Sequence, residues 1–365
     1  MASQVNNYQC PACTGPLRYD GVSGKLVCDY CDSKYDVAEI EKMYAEAEEK
    51  AKEAYEKAQE NGEGWNTESN EWGEDAKGLK TYSCPSCGAE LICDQTTAAT
   101  SCPYCGNPTV IPGQFDNSIK PDLIIPFKVD KQAAIQGLQN HYKGKKLLPK
   151  SFISSNKVED ISGVYVPFWL FDGEAEADVD YEAEKTHSER HGDDEIIYTE
   201  HYKVARSGKA LFEKVPVDAS SKMPSGHMDS IEPFDYSELK EFSTAYLPGF
   251  LADKYDIDIE TSAPRADVRF ENSILQELYN TVDGYSSVNT INKNVRLKRG
   301  DVKYALFPVW LLSTKWNDQV YTFAMNGQTG KMVGDLPIDK GRLAGYFVKI
   351  FVPLAALMAI LQYFM

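Results

Sequence analysis

Four Cys-x-x-Cys pairs constrain the fold of this chain more than any other feature of its sequence. The first two pairs are separated by fourteen residues, and the same spacing recurs seventy-four positions later. Two cysteines in one tight turn can bind a single metal ion, and two such turns complete a tetrahedral site. The spacing therefore predicts two zinc ribbons. The predicted ligands are Cys10, Cys13, Cys28 and Cys31 in the first ribbon and Cys84, Cys87, Cys102 and Cys105 in the second.

Four thiolate ligands determine what each predicted site can do. They fill the tetrahedral shell, so no position stays open for water or substrate, and the site is structural rather than catalytic. A ribbon of about thirty residues buries too little apolar surface to fold alone, so the metal supplies folding free energy of order 10 kcal/mol or more. We expect two Zn²⁺ ions, with iron as the less favoured metal. The ninth cysteine, Cys93, aligns with a strand position and is predicted to be a small buried side chain.

The whole sequence predicts a multidomain α+β protein. Its 365 residues leave room for two or three folded units plus linkers. A β-rich α+β domain with an internal repeat is expected after the ribbons, followed by an apolar helix. The predicted units are 1–35 (first zinc ribbon), 36–78 (acidic helix and flexible linker), 79–112 (second zinc ribbon), 119–339 (β-rich domain) and 343–365 (transmembrane helix).

The segment between the ribbons is strongly acidic. Residues 36–60 are rich in Ala, Glu and Lys and predict a helix, whose thin apolar stripe is expected to pack weakly. Residues 61–78 predict a flexible spacer that carries Trp65 and Trp72. Across 36–78 the net charge is −9. A coiled-coil partner for the helix and a docking role for the two tryptophans are the alternatives.

Two similar helix–strand units predict the internal repeat of the large domain. A helix at 130–142 precedes an apolar strand at 163–172, and a helix at 266–282 precedes an apolar strand at 304–313. Each strand contains a proline followed two residues later by a tryptophan. Because proline cannot donate to a sheet, each is expected to be an edge or bulged strand, with the tryptophan in the core. These residues are Pro167, Trp169, Pro308 and Trp310.

Acidic residues occupy every second position from Asp172 to Glu184. A period of two predicts a strand with one acidic face, and Lys203 and Arg206 on a neighbouring strand are candidate cross-strand partners. A solvated face that prevents edge aggregation is the simpler interpretation, and a basic partner or a divalent ion is the alternative. Three histidines around a predicted turn offer an alternative metal site: His187, His191 and His201.

The C-terminal stretch 343–365 is apolar, with Lys349 as its single charge. Twenty-three residues in a helix suffice to cross a hydrocarbon core of about 30 Å, so the sequence predicts a single membrane span. A buried core helix is the alternative, which Lys349 and Pro353 favour. Because Lys340 and Arg342 precede the stretch and no basic residue follows it, the bulk of the chain is predicted to lie in the cytoplasm. Paired cysteines of the metal-binding type agree with that reducing compartment.

Composition and missing motifs argue against two classes of function. A net charge of −17 and a pI near 4.8 argue against a general phosphate-binding surface, and neither ribbon carries a basic stripe. The sequence contains no phosphate-binding loop and no nucleophile elbow. We therefore predict that the protein is not an enzyme, and we assign no catalytic residue.

Four short motifs accompany the paired ribbons. Together with the cysteines they resemble the bacterial membrane-anchored proteins with transcription-factor-IIB-type zinc ribbons, which are often labelled as primosomal replication-restart helicases. The missing phosphate loop contradicts a helicase activity. The resemblance implies metal binding by the eight cysteines and partners such as phage-shock-type membrane-stress proteins and flotillin-like scaffolds. The motifs are I-P-F-K (Ile125 to Lys128), V-P-F-W (Val166 to Trp169), F-P-V-W (Phe307 to Trp310) and N-G-Q-T-G-K (Asn326 to Lys331).

These observations predict a non-catalytic, single-pass membrane protein that faces the cytoplasm. Its ribbons and β-rich domain would bind protein partners and recruit them to the membrane, in membrane stress if the resemblance holds. The alternative is a zinc-ribbon accessory protein of replication or transcription, because ribbons often serve polymerases and helicases.

Overall fold

A computed structural model describes most of the chain. The described residues are 10–11, 17–20, 25–28, 33–67, 70–76, 78–95, 97, 101–107, 111–113, 119–155, 158–191, 194–223, 225–317 and 319–364. Within helices and strands a few further side chains are outside the description, including those of residues 191, 355–357 and 359–364.

Helices and strands alternate along the described chain. The helices are α1 (Val37–Glu60), α2 (Lys131–Tyr142), α3 (Lys150–Ser155), α4 (Ser225–Ile231), α5 (Ile259–Asn280) and α6 (Lys340–Phe364). The strands are β1 (Leu17–Asp20), β2 (Lys25–Cys28), β3 (Lys34–Asp36), β4 (Asn66–Thr67), β5 (Leu79–Ser83), β6 (Glu90–Asp94), β7 (Ile111–Gly113), β8 (Leu123–Ile124), β9 (Ser162–His191), β10 (Asp194–Asp218), β11 (Lys240–Glu241), β12 (Leu251–Asp253), β13 (Ser287–Trp316), β14 (Gln319–Asn326) and β15 (Met332–Gly334).

Three very long strands form the centre of the protein. β9 pairs antiparallel with β10 on one side and with β13 on the other. A strand of thirty residues reaches about 100 Å if straight, at about 3.3 Å per residue. The described part of this sheet runs in the order β11-β8-β13-β9-β12-β6-β5-β7. The predicted α+β class with a large sheet is confirmed, and the strands of the second cysteine unit (β5 to β7) belong to the same sheet.

The two prolines lie in central strands rather than in edge strands, contrary to the sequence prediction. Pro167 falls in a short gap along β9, between the end of its pairing with β12 and the start of its pairing with β10. Pro308 falls in the matching gap of β13, between β8 and β14. A residue in such a gap needs no donor on that side, so the missing N–H leaves no broken ladder bond.

The two predicted repeat units are connected by a matching pair of tryptophan hydrogen bonds. The indole Nε1 of Trp169 on β9 donates to the carbonyl of Ile257, just before α5, at 2.9 Å. Trp310 on β13 donates in the same way to Val129, just before α2, at 2.8 Å. Each strand thus holds the segment that leads into the other repeat's helix. Both tryptophans are buried in the core, as predicted.

Trp65 and Trp72 are also core residues, which differs from the predicted flexible spacer. Trp65 packs edge-on against Phe171 and Phe270, with ring centroids 4.9 and 5.6 Å away. Trp72 packs edge-on against Phe242 at 5.5 Å. These contacts fix the chain after α1 to the sheet and to α5. Because their partners lie far along the sequence, local composition gave no sign of them.

The acidic strand face is present as predicted. Between Glu174 and Glu184 the alternate residues of β9 are buried, and the acids between them face outward. Lys203 lies opposite Glu182 in the register, as expected for a cross-strand partner. Arg206 does not face the acids, because it lies opposite the buried Val179. Its guanidinium donates instead to the hydroxyl and the carbonyl of Thr281, at the C-terminal end of α5.

The C-terminal helix α6 covers residues 343–364 of the predicted membrane span, 343–365, whose last residue lies outside the described part of the chain. Its described side chains from residue 343 to residue 354 are exposed to solvent. Within the described residues, no helix of the chain has the length and apolar character that crossing a membrane requires. The rest of the predicted span falls largely on side chains outside the described residues.

We expect the reciprocal tryptophan bonds to contribute measurably to stability. Trp169→Phe and Trp310→Phe should each lower the free energy of unfolding by about 1 kcal/mol, because each leaves a partly buried carbonyl without its indole donor. Urea unfolding followed by circular dichroism measures the change. Tyr198→Phe, at an exposed position, is the control; losses no larger than that of the control would contradict the prediction.

Candidate metal centre

The four cysteines of the second unit come together at one point. Their Sγ atoms all lie within 4.8 Å of one another. The Cys84–Cys105 and Cys87–Cys102 pairs are both separated by 3.6 Å. A tetrahedral metal ion with bonds of about 2.3 Å to sulfur has ligands about 3.8 Å apart. The cluster therefore has the size of a four-thiolate metal site.

Two matching turns position these thiols. After β5 the chain turns through Cys84 to Cys87, and the Gly88 N–H donates to the carbonyl of Cys84 at 2.8 Å. The Gly106 N–H closes the second turn on Cys102 at 2.9 Å. Both glycines have φ near +70°, a conformation that side chains disfavour. This conformation explains why glycine follows both cysteine pairs of the second unit.

Burial and backbone hydrogen-bond donors shift the pKa values of the thiols in opposite directions. Burial raises the pKa of Cys84, but hydrogen bonds from the backbone N–H groups of Cys87 and Ser86, together with those from the thiols of Cys105 and Cys87, outweigh it and lower that pKa to about 7. Burial raises the pKa of Cys87 to about 11, and it raises the pKa of Cys102 as well. A bound divalent cation would hold all four groups as thiolates.

A lysine lies beside the cluster. Lys222 Nζ is 3.0 Å from Asp256 Oδ2, and this contact raises the lysine pKa. Cys87 is also among the acidic groups that raise it. Zinc bound by four thiolates leaves a net charge of two minus at the site, so this ammonium group is placed to offset part of it. The sequence analysis missed Lys222 because it lies more than a hundred residues from the cysteines.

The cluster is attached to the long strands. Cys84 and Cys102 are buried in the same core as Val164 and Val166 of β9. Ser313 Oγ on β13 lies 3.0 Å from the Pro103 carbonyl, inside the second turn. Nearby, burial raises the pKa of Asp253 on β12 to about 7, and the Ser220 hydroxyl donates to that carboxyl group at 2.6 Å. The metal centre is therefore part of the main core rather than a separate lobe.

The first cysteine unit is described only in part. Cys10 and Cys28 are buried, whereas Cys13 and Cys31 lie outside the described residues. The Cys28 N–H donates to the Ser33 carbonyl at 2.9 Å, five residues ahead. The second unit closes its turns in the same way, from Cys84 to Ala89 and from Cys102 to Asn107, both at 2.9 Å. A metal site at the first unit remains a prediction.

Two further predictions concern residues outside the cysteine cluster, namely the buried Cys93 and an alternative site made of histidines. Cys93 is fully buried on β6 and is not part of the cluster, as predicted. Among the described side chains, His187 and His201 do not come together, and the side chain of His191 lies outside the described residues. His187 is in β9 opposite Tyr198, not in a turn, whereas His201 lies opposite Glu184, on the other face of the sheet. Their side chains therefore point away from each other.

Comparison with known proteins places the chain in a family. A protein of Bacillus subtilis described as "Uncharacterized protein YdjG" is 34% identical over 316 residues, which cover 73% of this chain and 93% of that protein. This chain belongs to the YdjG family. No family model matches the chain, and no solved structure matches it significantly. The description of the matched protein names no activity, so the function of this chain has to be inferred from its structure.

For this YdjG-family protein we expect metal binding to depend on the cluster and not on cysteine content. Cys87→Ser in the full chain should remove one equivalent of bound metal, because three thiolates cannot close the tetrahedron. Cys93→Ala, which changes a buried cysteine of the same ribbon outside the cluster, should keep the wild-type metal content. Elemental analysis of the purified proteins measures both. Equal metal content in the two variants would show that the cluster is not the site.

Proposed function

We propose that this chain is a non-catalytic, zinc-containing membrane protein that recruits protein partners from the cytoplasm. The observation that carries this proposal is a projecting β-hairpin, here called the arm. It consists of residues 185–191 of β9 and residues 194–200 of β10. Every described side chain of residues 185–190 and 194–200 is exposed.

The arm extends beyond the rest of the sheet. The pairing of β13 with β9 ends at Ser287 opposite Glu184, so the strands of the arm pair only with each other among the described residues. An isolated two-stranded hairpin is at best marginally stable in water. Its free edges carry backbone donors and acceptors that another strand can pair with. A long exposed arm of this kind therefore favours a function in which a partner completes the sheet.

The exposed apolar residues of the arm support a protein partner. Ile196, Ile197 and Tyr198 are 40%, 65% and 42% exposed. Successive residues of a strand face opposite sides, so both faces of the arm carry apolar surface. A partner strand added to the edge would gain main-chain hydrogen bonds for affinity and these side chains for specificity. By the resemblance, phage-shock-type or flotillin-like proteins are the partners to test first.

The metal centre supports a structural role. Four cysteines around one ion leave no open coordination position for a substrate or an activated water, which agrees with a non-catalytic protein. The tetrahedral spacing of sulfur ligands is typical of zinc. We infer two structural Zn²⁺ ions, one at Cys84, Cys87, Cys102 and Cys105 and one at Cys10, Cys13, Cys28 and Cys31.

The C-terminal helix supports membrane attachment. In α6 the large apolar side chains of Phe347, Ile350, Phe351 and Leu354 are more than half exposed, so nothing in the described protein covers them. Exposed apolar surface of this extent marks an interaction with a membrane or a partner. We propose that 343–365 anchors the chain, with the folded part on the side where Lys340 and Arg342 lie.

Site-specific photo-crosslinking tests the arm. A photoreactive phenylalanine analogue in place of Tyr198 should give a discrete protein adduct in intact cells, because the exposed ring lies on the proposed binding surface. The same analogue in place of Ile153, an exposed residue on α3, is the control. Mass spectrometry identifies the adduct. A partner captured equally from both positions, or from neither, would contradict recruitment through the arm.

A second variant tests the apolar contacts without removing the arm. Ile197→Asp should reduce the adduct formed from position 198 at least tenfold, because a charge on the binding face would be desolvated in the complex. Ile153→Asp makes the same change away from the arm and should leave the adduct unchanged. Metal content and thermal unfolding of both variants should match the wild-type protein, which separates a lost contact from a lost fold.

Extraction with alkaline carbonate tests the anchor. The full chain should remain in the membrane pellet, because an inserted helix is held by the hydrophobic effect and not by charge. A chain that ends at Asp339 should appear in the soluble fraction with its metal content unchanged. Release of the full chain by carbonate would contradict the anchor, while the result for the arm would stand independently.

A further inference from the structure

A loop that is distant from the C-terminus in sequence lies at the start of the apolar helix α6. The loop joins α2 to α3 and comprises residues 143–149. The Asp339 N–H donates to the Leu147 carbonyl at 2.9 Å. The Arg342 guanidinium donates to the Leu148 carbonyl, also at 2.9 Å. These hydrogen bonds fix the loop beside the residues that immediately precede the proposed membrane anchor.

Both segments are basic, although the chain as a whole has a net charge of −17. Residues 143–150 contain four lysines and no acidic residue. The start of α6 adds one lysine and one arginine, against the single carboxylate of Asp339. The fold therefore collects positive charge at one end of α6, here called the basic patch. The basic patch consists of Lys143, Lys145, Lys146, Lys150, Lys340 and Arg342.

The lysines of the basic patch are accessible to a charged partner. Four of the five are exposed, and Lys145 is half-buried. Within the described part of the chain, none of the five forms a salt bridge. Lys293 on β13, in contrast, lies 2.7 Å from Glu271 Oε1. Several ammonium groups without acidic neighbours raise the local concentration of anions, so the patch favours a partner of negative charge.

The position of the basic patch favours a membrane surface as that partner. The apolar residues of α6 begin at Leu343, directly after Arg342. Phospholipid headgroups form a layer of about 5–8 Å on each side of the hydrocarbon core. If α6 enters the core at Leu343, the loop that is hydrogen-bonded to Arg342 lies in that layer. Clusters of about four to eight basic residues next to a membrane helix are typical of binding to anionic lipids.

We propose that the basic patch binds the anionic headgroups of membrane phospholipids. This lipid contact rests on the anchor proposed above and extends it, because it assigns a lipid class and a second point of attachment. The loop and α6 together would hold the folded part of the chain against the lipid surface. A free phosphate compound lacks the acyl chains that can pack on exposed side chains of α6 such as Phe347, so a lipid is the source of the anion.

Native mass spectrometry of the full chain, released from a neutral detergent, tests the basic patch. The probes are phosphatidylglycerol and phosphatidylcholine with the same oleoyl chains. Phosphatidylglycerol should bind at least fivefold more tightly, because only its headgroup has a net negative charge. Equal binding of the two lipids would overturn the proposal. Displacement of phosphatidylglycerol by equimolar glycerol 3-phosphate or by a short DNA duplex would also overturn it, in favour of a free phosphate or a nucleic acid.

Two matched variants locate the lipid contact. The first removes the four lysines of the loop and of the start of α3, and the preference for phosphatidylglycerol should disappear. The second removes four exposed lysines of α1, which changes the net charge equally, and the preference should remain. An unchanged preference in the first variant, or equal losses in both, would overturn the assignment. The first variant is Lys143→Gln, Lys145→Gln, Lys146→Gln and Lys150→Gln, and the second is Lys42→Gln, Lys50→Gln, Lys52→Gln and Lys57→Gln.

Extraction with alkaline carbonate separates the lipid contact from the anchor. Lysine side chains lose most of their charge at that pH, so retention in the membrane pellet reports the apolar helix alone. The first variant should therefore stay in the pellet, with wild-type metal content and urea midpoint, although its lipid preference is lost. Retention of the wild-type chain without a lipid preference would contradict the basic patch alone. Release of the wild-type chain with its lipid preference intact would contradict the anchor and support the patch.

Discussion

The antiparallel pairing of β9 with β13 is the interaction on which the rest of the structure depends. It runs from Ser162 opposite Leu311 to Glu184 opposite Ser287, interrupted by two irregularities in register. The other described strands of the large sheet pair with one of these two strands or are linked to them through a strand that does. At each proline gap the neighbouring strand changes from a short parallel one to a longer antiparallel one, from β12 to β10 along β9 and from β8 to β14 along β13. The carbonyls of Pro167 and Pro308 then accept from Ala219 and Gly327 at 2.9 and 2.7 Å.

Partly buried arginines of α5 and β13 connect the sheet to the acidic N-terminal segment. Arg265 lies 2.8 Å from Asp218 at the end of β10 and 3.9 Å from Glu48 on α1. Arg299 lies 2.6 Å from Asp267 and stacks over Tyr55 of α1, 5.2 Å from its ring. Removing one partner of a buried pair leaves an uncompensated charge, typically at a cost of about 3–5 kcal/mol. Tyr55, under Arg299, is one of the buried residues of α1, a helix that was expected to pack weakly.

The sequence predicted best those features whose cause is local. Cysteine spacing depends on a single turn, and the alternation of acids from Asp172 to Glu184 reports one strand face, so both could be read directly. Sequence-based prediction failed where a feature depends on residues that are far apart along the chain. The burial of Trp65 depends on Phe171 and Phe270, more than a hundred residues away. The position of Lys222 beside the cysteine cluster likewise depends on a long-range contact that sequence periodicity cannot report.

The position of the metal centre along β9 bears on what the metal can control. The second ribbon reaches β9 through β12, which pairs at Val164 and Tyr165, whereas the arm begins twenty residues later. At about 3.3 Å per residue the two are about 65 Å apart. Between them β9 is held by β13 on one side, by β10 on the other and by α5 across one face. A metal ion bound by these cysteines would thus stabilise one end of the sheet, and its loss would leave the arm's pairing in place rather than switch the arm.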